Sequence, residues 1–340
     1  MKSLVVEGPG RMAVIERPIP VPAPGEVRVK IERAGICGSD VHIFHGTNPF
    51  VQYPRTIGHE FFGHIEALGA GATAKIGTRV VIDPVVACGH CYPCSIGRPN
   101  VCDHLQVIGV HRDGGFAEFA CVPEGNAHAV PYAMPDERAT LVEPFTIAAN
   151  ITDRTGASER DVALVYGAGP IGLTVIQVLK HVYGVRQLIV SDQIDARLDL
   201  ALASGADQVI NGGKVSLLET LKAAGIRPTL IIDAACHPSI LAEAVEIASP
   251  AARIGIMGFS SEPSALVQQK VTAKELAIHS SRLNGGKFDK VIGWFARGLL
   301  APEKLLTHRF ALSDWQAAFD AFENDPVGCC KVQFDLTTAS

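Results

Sequence analysis

The sequence predicts an α/β protein of two domains, one largely β and irregular, the other a doubly wound parallel sheet. Three observations predict it. The texture changes near residue 160 from short alternating runs to apolar strands separated by helical stretches. A G-x-G-x-x-G pattern sits at the first strand-to-helix turn after that change, and four closely spaced cysteines lie in the irregular half. At 340 residues the chain exceeds what one hydrophobic core usually supports, and its 47% hydrophobic content is ample for two.

The first 150 residues are rich in Gly and Pro and carry runs such as 27–31 (VRVKI), in which apolar and polar residues alternate at period two. That pattern is β structure with one wet face. Beyond 160, apolar runs at 162–166, 187–191, 207–210, 229–234, 252–257 and 275–280 alternate with helix-like stretches such as 195–204 and 239–248. Six strands with helical crossovers make a parallel, doubly wound sheet. After 285 come an amphipathic helix in "FDKVIGWFARGLL", a second helix near 313–323 and a terminal strand. This tail either caps the α/β unit or rejoins the first domain.

Net charge is −5 with no Lys/Arg run, which excludes the electrostatic footprint of a nucleic-acid or anionic-membrane binder. The N-terminal apolar patch is too short for a signal peptide and is interrupted by Glu7 and Glu16, so a cytoplasmic protein is expected. Residues 162–179 run eighteen positions without a charge, but the Gly-Ala-Gly-Pro at 167–170 breaks them into a strand and a helix rather than a bilayer span. An odd total of nine cysteines in such a chain argues for metal rather than a disulfide framework.

In "VALVYGAGPIGL", Gly167, Gly169 and Gly172 stand between an apolar strand and a helix that starts at Pro170 and Ile171. A tight turn, close approach of backbone to pyrophosphate and helix–strand packing each call for one of these glycines, and the helix N-terminus faces the phosphates. Asp192 ends the next strand, twenty residues on, where a carboxylate accepts from ribose hydroxyls and repels a 2′-phosphate. NAD is therefore favoured over NADP, with nearby Arg197 arguing the other way.

Cys88, Cys91, Cys94 and Cys102 follow C-x2-C-x2-C-x7-C, a spacing that lets four thiolates close a tetrahedral Zn²⁺ and leave no position for substrate. His90 is a possible substitute ligand that four cysteines make unnecessary. A second, dispersed set is Cys37, Ser39, Asp40 and His42 in "AGICGSDVHIFHG", His59 and Glu60 in "IGHEFFGHI", and Glu143 in "LVEPF". Thiolate, imidazole and carboxylate with one open position make a catalytic zinc site. Alone, a residue such as Cys37 is more often a buried apolar residue than a ligand, and one such as His59 more often a satisfied histidine; the G-H-E pairing and the nearby dinucleotide site favour the metal.

At these residues the sequence resembles the zinc-dependent medium-chain dehydrogenase/reductases over essentially its full length, and within them the polyol and sugar-acid dehydrogenase branch. The matching segments are "GICGSD", "GHEFFG", "DPVVACGHCYPCSIGRPNVC", "GVHRDGGFAE", "EPFTIAAN", "YGAGPIGL" and "IIDAACHPSI". The resemblance implies a GroES-like β-barrel catalytic domain over 1–145 and 286–340, with a structural-zinc lobe at 88–102, and a Rossmann NAD-binding domain over 146–285. It implies two Zn²⁺ per subunit. The catalytic one is held by Cys37, His59 and Glu143, directly or through water, with Glu60 approaching when coordination changes. It further implies that Asp40 accepts a hydrogen bond from His59, that Ser39 contacts the substrate oxygen, and that His42 relays the proton. Met257 in "GIMGFS" and Arg282 in "SSRLN" match segments near the nicotinamide end of the cofactor. The implied partner is a small polyol or sugar acid, and the implied assembly a homodimer or homotetramer. Competing readings are threonine dehydrogenase-like oxidation of an amino alcohol, an NAD- and zinc-binding regulatory protein with little turnover, and a zinc-free quinone reductase, which both ligand sets oppose.

Overall fold

Six parallel strands form the sheet of one unit in a computed structural model that describes residues 1–337. They are β1 (Val162–Tyr166), β2 (Gln187–Asp192), β3 (Gln208–Asn211), β4 (Leu230–Asp233), β5 (Arg253–Ile256) and β6 (Ala277–Ser280). Their spatial order is β3-β2-β1-β4-β5-β6, with every pair parallel. The order reverses between β1 and β4, the place where open α/β sheets bind ligands beyond their strand ends. All five residues of β1 are buried, because helices cover both sheet faces; that is why it reads as a continuous apolar run. On one face Leu164, Ile189, Ile231 and Ile254 pack with Leu221 of helix Leu217–Ala223 and Val245 of helix Pro238–Ile247. The latter helix begins at Pro238, one residue before the expected 239. Proline suits the first helical turn, and the His237 ring accepts from the Ser239 N–H as its cap.

This unit comprises Ile147–Leu283 and Gly298–Ala301; the other comprises Met1–Thr146, Asn284–Arg297 and the chain from 302 onward. In the latter, strand Glu26–Gly35 pairs antiparallel with Glu60–Leu68, Phe119–Pro123 and the C-terminal strand Lys331–Asp335. The tail thus joins the first unit's sheet. Helix Phe288–Ala296 belongs there too, with Phe295 packed edge-to-face on Phe145 at 5.1 Å between ring centres. Burial of Phe288, Phe295 and Phe145 contributes about 2 kcal/mol each. Among the described residues no helix is long and apolar enough to cross a membrane.

Candidate metal and dinucleotide sites

The sheet register of the first unit assembles the dispersed set. Strand Glu26–Gly35 runs out through Ile36 to Cys37, the N-cap of helix Gly38–Phe44. Glu60, preceded by His59, stands opposite Gly35 on the neighbouring strand. Residues more than twenty positions apart therefore meet, and ligand atoms of Cys37, His59 and Glu60 all lie within 4.8 Å of one another. Gly35 has to be a glycine, because a Cβ there would overlap the Glu60 carboxylate.

Asp40 is fully buried and organises both ligand segments through their backbone. One carboxylate oxygen accepts from the Cys37 N–H at 2.9 Å and the other from the Gly58 N–H at 3.1 Å. This corrects the expectation of a hydrogen bond from His59. The His59 Nδ1 lies 3.6 Å from an Asp40 oxygen, beyond direct hydrogen-bond length but close enough for the carboxylate charge to act on the imidazole.

Glu143 sits buried in the first turn of helix Val142–Thr155, outside the tight cluster but within electrostatic reach of His59 and Glu60. Burial pushes its carboxyl up to about 8, against the pull of His59 and with the push of Glu60. Burial also disfavours charge on His59, yet the Asp40 and Cys37 charges outweigh it and hold the imidazole well above its usual value. A buried imidazole with a thiol and a carboxylate, their ligand atoms within 4.8 Å of one another, is a donor set that fits Zn²⁺.

Lys331 is the site residue that the sequence left unmarked. It is 2% exposed, and its ammonium donates to both Glu60 oxygens and to the Ile36 carbonyl at 2.9 Å. The C-terminal strand carries it there, because Gln333 pairs with Gly35 and the Val332 carbonyl accepts from the Ile36 N–H. Burial opposes its charge, but Glu60 and Cys37 raise its pKa further. No local pattern in "CCKVQFD" reveals this; only the strand's position in the sheet does.

Ser39 is half-buried in the first turn of helix Gly38–Phe44, and His42 is exposed in its last turn, with Nδ1 2.8 Å from the Thr47 hydroxyl. The triplet at 111–113 is tied up locally. The His111 ring accepts from the Val107 N–H, Arg112 pairs with Glu26, and Asp113 pairs with Arg17 and Arg55.

Cys88, Cys91, Cys94 and Cys102 converge as a second cluster. The Cys91 sulfur lies 3.4 Å from that of Cys94 and 3.7 Å from that of Cys102. A tetrahedron with Zn–S bonds of about 2.3 Å has edges of about 3.8 Å, so the spacing fits an enclosed ion. The His90 ring, by contrast, engages the Cys88 carbonyl at 2.9 Å and stands outside the cluster. The His90 N–H holds the Cys88 thiol down to about 7, whereas desolvation and the neighbouring sulfurs push Cys94 up to about 12. Between Val86 and Pro99 no residue is buried, so the lobe has no core of its own. Stripping the metal with a strong chelator is expected to open residues 88–102 to proteolysis before the rest of the protein unfolds. Limited proteolysis read by mass spectrometry checks this; a lobe that stays resistant after loss of zinc contradicts it.

In the second unit the glycine loop has the shape the motif requires. Gly167 has φ +88°, and a Cβ at Gly172 would run into the Gly167 carbonyl. At Gly169 a Cβ would meet only the far end of Arg197, at 4.0 Å, so the backbone is open to approach. Pro170 and Ile171 begin helix Pro170–Gln177, whose N-terminus faces that space. The Asp192 carboxylate accepts from Ala168 N–H at 2.7 Å, Gln193 N–H at 2.7 Å and Ile194 N–H at 2.9 Å, which joins the end of β2 to the loop. Gly167, Asp192 and Arg197 line a cavity of about 480 Å³, a size typical of small-molecule sites. Met257 and Arg282 follow the ends of β5 and β6, and Arg282 lies over the Phe259 ring at 5.6 Å. A four-thiolate cluster, a thiol–imidazole–carboxylate cluster and a dinucleotide loop on these two folds define a zinc-dependent dehydrogenase.

Residues 23–132 match the alcohol dehydrogenase GroES-like domain, and residues 170–297 match the zinc-binding dehydrogenase domain. The chain belongs to the zinc-dependent alcohol dehydrogenase family, with GroES-like and Rossmann-type folds. Starvation-sensing protein RspB of Escherichia coli (strain K12) is 60% identical over 333 residues, 98% of each chain. The crystal structure of a short chain alcohol dehydrogenase (rspB) from E. coli CFT073 complexed with NADH has 58% identity and a TM-score of 0.97, and 99% of each chain is covered. Galactitol-1-phosphate dehydrogenase from Escherichia coli has 32% identity and a TM-score of 0.90, covering 98% of this chain and 100% of that one.

Proposed function

We propose that the protein is an oxidoreductase that uses zinc and transfers a hydride between NAD and a secondary hydroxyl of a polyol or sugar acid. The observation that carries this reading is the convergence of Cys37, His59 and Glu60 within 4.8 Å. Cys37 and His59 would hold the catalytic zinc, with Glu143 and Glu60 as the nearby carboxylates. When bound, the ion supplies Lewis acidity that lowers the pKa of a coordinated alcohol. NAD, held by the loop 167–172 and Asp192, supplies the hydride acceptor.

The chain's own residues do the rest. Asp40 fixes the backbone of both ligand segments, and Lys331 keeps the Glu60 carboxylate directed and compensated. Ser39 and His42 are three positions apart on one helix and share a face. The Ser39 hydroxyl takes the proton released from the substrate oxygen, and exposed His42 passes it to solvent. The balance is one alcohol and NAD⁺ giving one ketone, NADH and one proton. A polyol or sugar-acid substrate draws support from the similarity to galactitol-1-phosphate dehydrogenase.

The test is an NAD-reduction screen of zinc-loaded protein over polyols, aldonates, uronate-derived acids and amino alcohols. Turnover with a polyol or sugar acid is expected. Turnover confined to amino alcohols would contradict the substrate class, and none with any compound would contradict the enzyme.

A further inference from the structure

Helix Gly38–Phe44, which carries Ser39 and His42, ends in a turn that the stretch "HIFHGT" dictates. Gly46 takes the left-handed conformation with φ +75°, and a Cβ there would also run into the Pro9 ring. The Gly46 N–H donates to the Ile43 carbonyl at 3.1 Å, and the Thr47 N–H donates to the His42 carbonyl at 2.9 Å. These two bonds satisfy carbonyls that a helix end leaves open, and together they make the glycine-terminated Schellman closure. The closure folds the residue after the glycine back over the third-last turn position, where the usual contact is apolar. Here it is polar. The Thr47 hydroxyl lies 2.8 Å from the His42 Nδ1 and 3.3 Å from the His42 carbonyl.

The hydrogens available to these contacts select one tautomer. A hydroxyl has a single hydrogen to donate, and a carbonyl oxygen can only accept. With the Thr47 O–H donating to the His42 carbonyl, the hydroxyl lone pair is left for the ring, and the Nδ1 carries the hydrogen of the 2.8 Å contact. Turned toward Nδ1 instead, the same hydrogen would abandon the carbonyl. A neutral imidazole has one N–H, so Nε2 is then a bare acceptor. The exposed ring makes no other hydrogen bond among the described residues. The opposite tautomer would place an N–H where a proton relay needs a lone pair.

We propose that Thr47 is a positioning residue for the proton relay: its hydroxyl holds His42 as the Nδ1–H tautomer, so that Nε2 receives the proton leaving the substrate. The inference rests on the reading that Ser39 and His42 carry that proton. The substrate O–H bond breaks, Ser39 takes that proton and hands on its own, and an Nε2–H bond forms on His42. The Nδ1–H stays on Thr47 throughout. The imidazolium then gives its Nε2 proton to solvent and returns to the starting tautomer. The electron pair travels separately, as hydride to NAD⁺.

The test labels the histidines of the zinc-loaded protein with ¹⁵N and reads the two ring-nitrogen shifts of His42 at a pH where the ring is neutral, assigned by their loss in His42→Gln. Wild type and Thr47→Ser are expected to show Nδ1 protonated and Nε2 bare. Thr47→Val keeps the shape and removes the hydroxyl, and its Nε2 should become substantially protonated. With the polyol or sugar acid that reduces NAD fastest, kcat of Thr47→Val should fall at least about threefold at unchanged KM, while Thr47→Ser keeps wild-type turnover. A protonated Nε2 in wild type, or wild-type shifts and kcat in Thr47→Val, overturns the role of Thr47 and leaves the relay standing. Wild-type kcat in His42→Gln overturns the relay itself.

Discussion

Replacing His59 with alanine is expected to lower kcat at least about 1000-fold while leaving the dissociation constant for NADH within about threefold of wild type. His59 contributes the imidazole of the cluster with Cys37 and Glu60. Removing it leaves the Cys37 thiol, the Glu143 carboxyl and a Glu60 carboxylate that Lys331 already engages, without the imidazole an open zinc site of this kind relies on. The dinucleotide loop lies in the other unit, among residues 147–283, so cofactor affinity should survive. Stopped-flow turnover and NADH fluorescence titration on one preparation separate the two effects. A variant with normal kcat and weakened NADH binding would contradict the assignment.

Replacing Lys331 with methionine is expected to destabilise the zinc-loaded protein by about 3–5 kcal/mol, the usual cost of breaking a buried ion pair by removing one partner. Glu60 is 1% exposed, and the Lys331 ammonium compensates its charge while also satisfying the Ile36 carbonyl. Methionine leaves a buried carboxylate beside Glu143 and Cys37 with no cationic side chain in place of the lysine. Lys331→Arg, which keeps the charge, should recover much of the loss and distinguishes charge compensation from simple packing. Urea unfolding measures both variants. A loss below about 1 kcal/mol for methionine would mean that the pair contributes little.

The parallel sheet was legible because its strands are buried on both faces and read as unbroken apolar runs; the runs at 162–166 and 187–191 coincide with β1 and β2. The four-cysteine lobe was equally plain, since its ligands are near neighbours in sequence. The dispersed cluster was legible only in part. Cys37 and His59 carry no local signal that they meet, and their meeting depends on the pairing of Gly35 with Glu60. Lys331 was invisible for the same reason, because a lysine at the start of a strand is ordinarily solvated and only the sheet's register buries this one. Asp40 was expected to hold the His59 imidazole, and its direct hydrogen bonds go instead to backbone N–H groups. A carboxylate three residues after Cys37 caps the start of its own helix, and its other oxygen accepts from the Gly58 N–H at 3.1 Å while lying 3.6 Å from the imidazole.

The central claim is that the chain holds two zinc ions, one closed off by four cysteines and one held where chemistry can occur. Elemental analysis of purified wild type and His59→Ala, paired with activity, tests it most directly. The account predicts about two zinc ions per chain in active wild type and about one, without activity, in His59→Ala. Fully active wild-type protein containing no zinc, or a His59→Ala variant that keeps both ions and normal turnover, would contradict it.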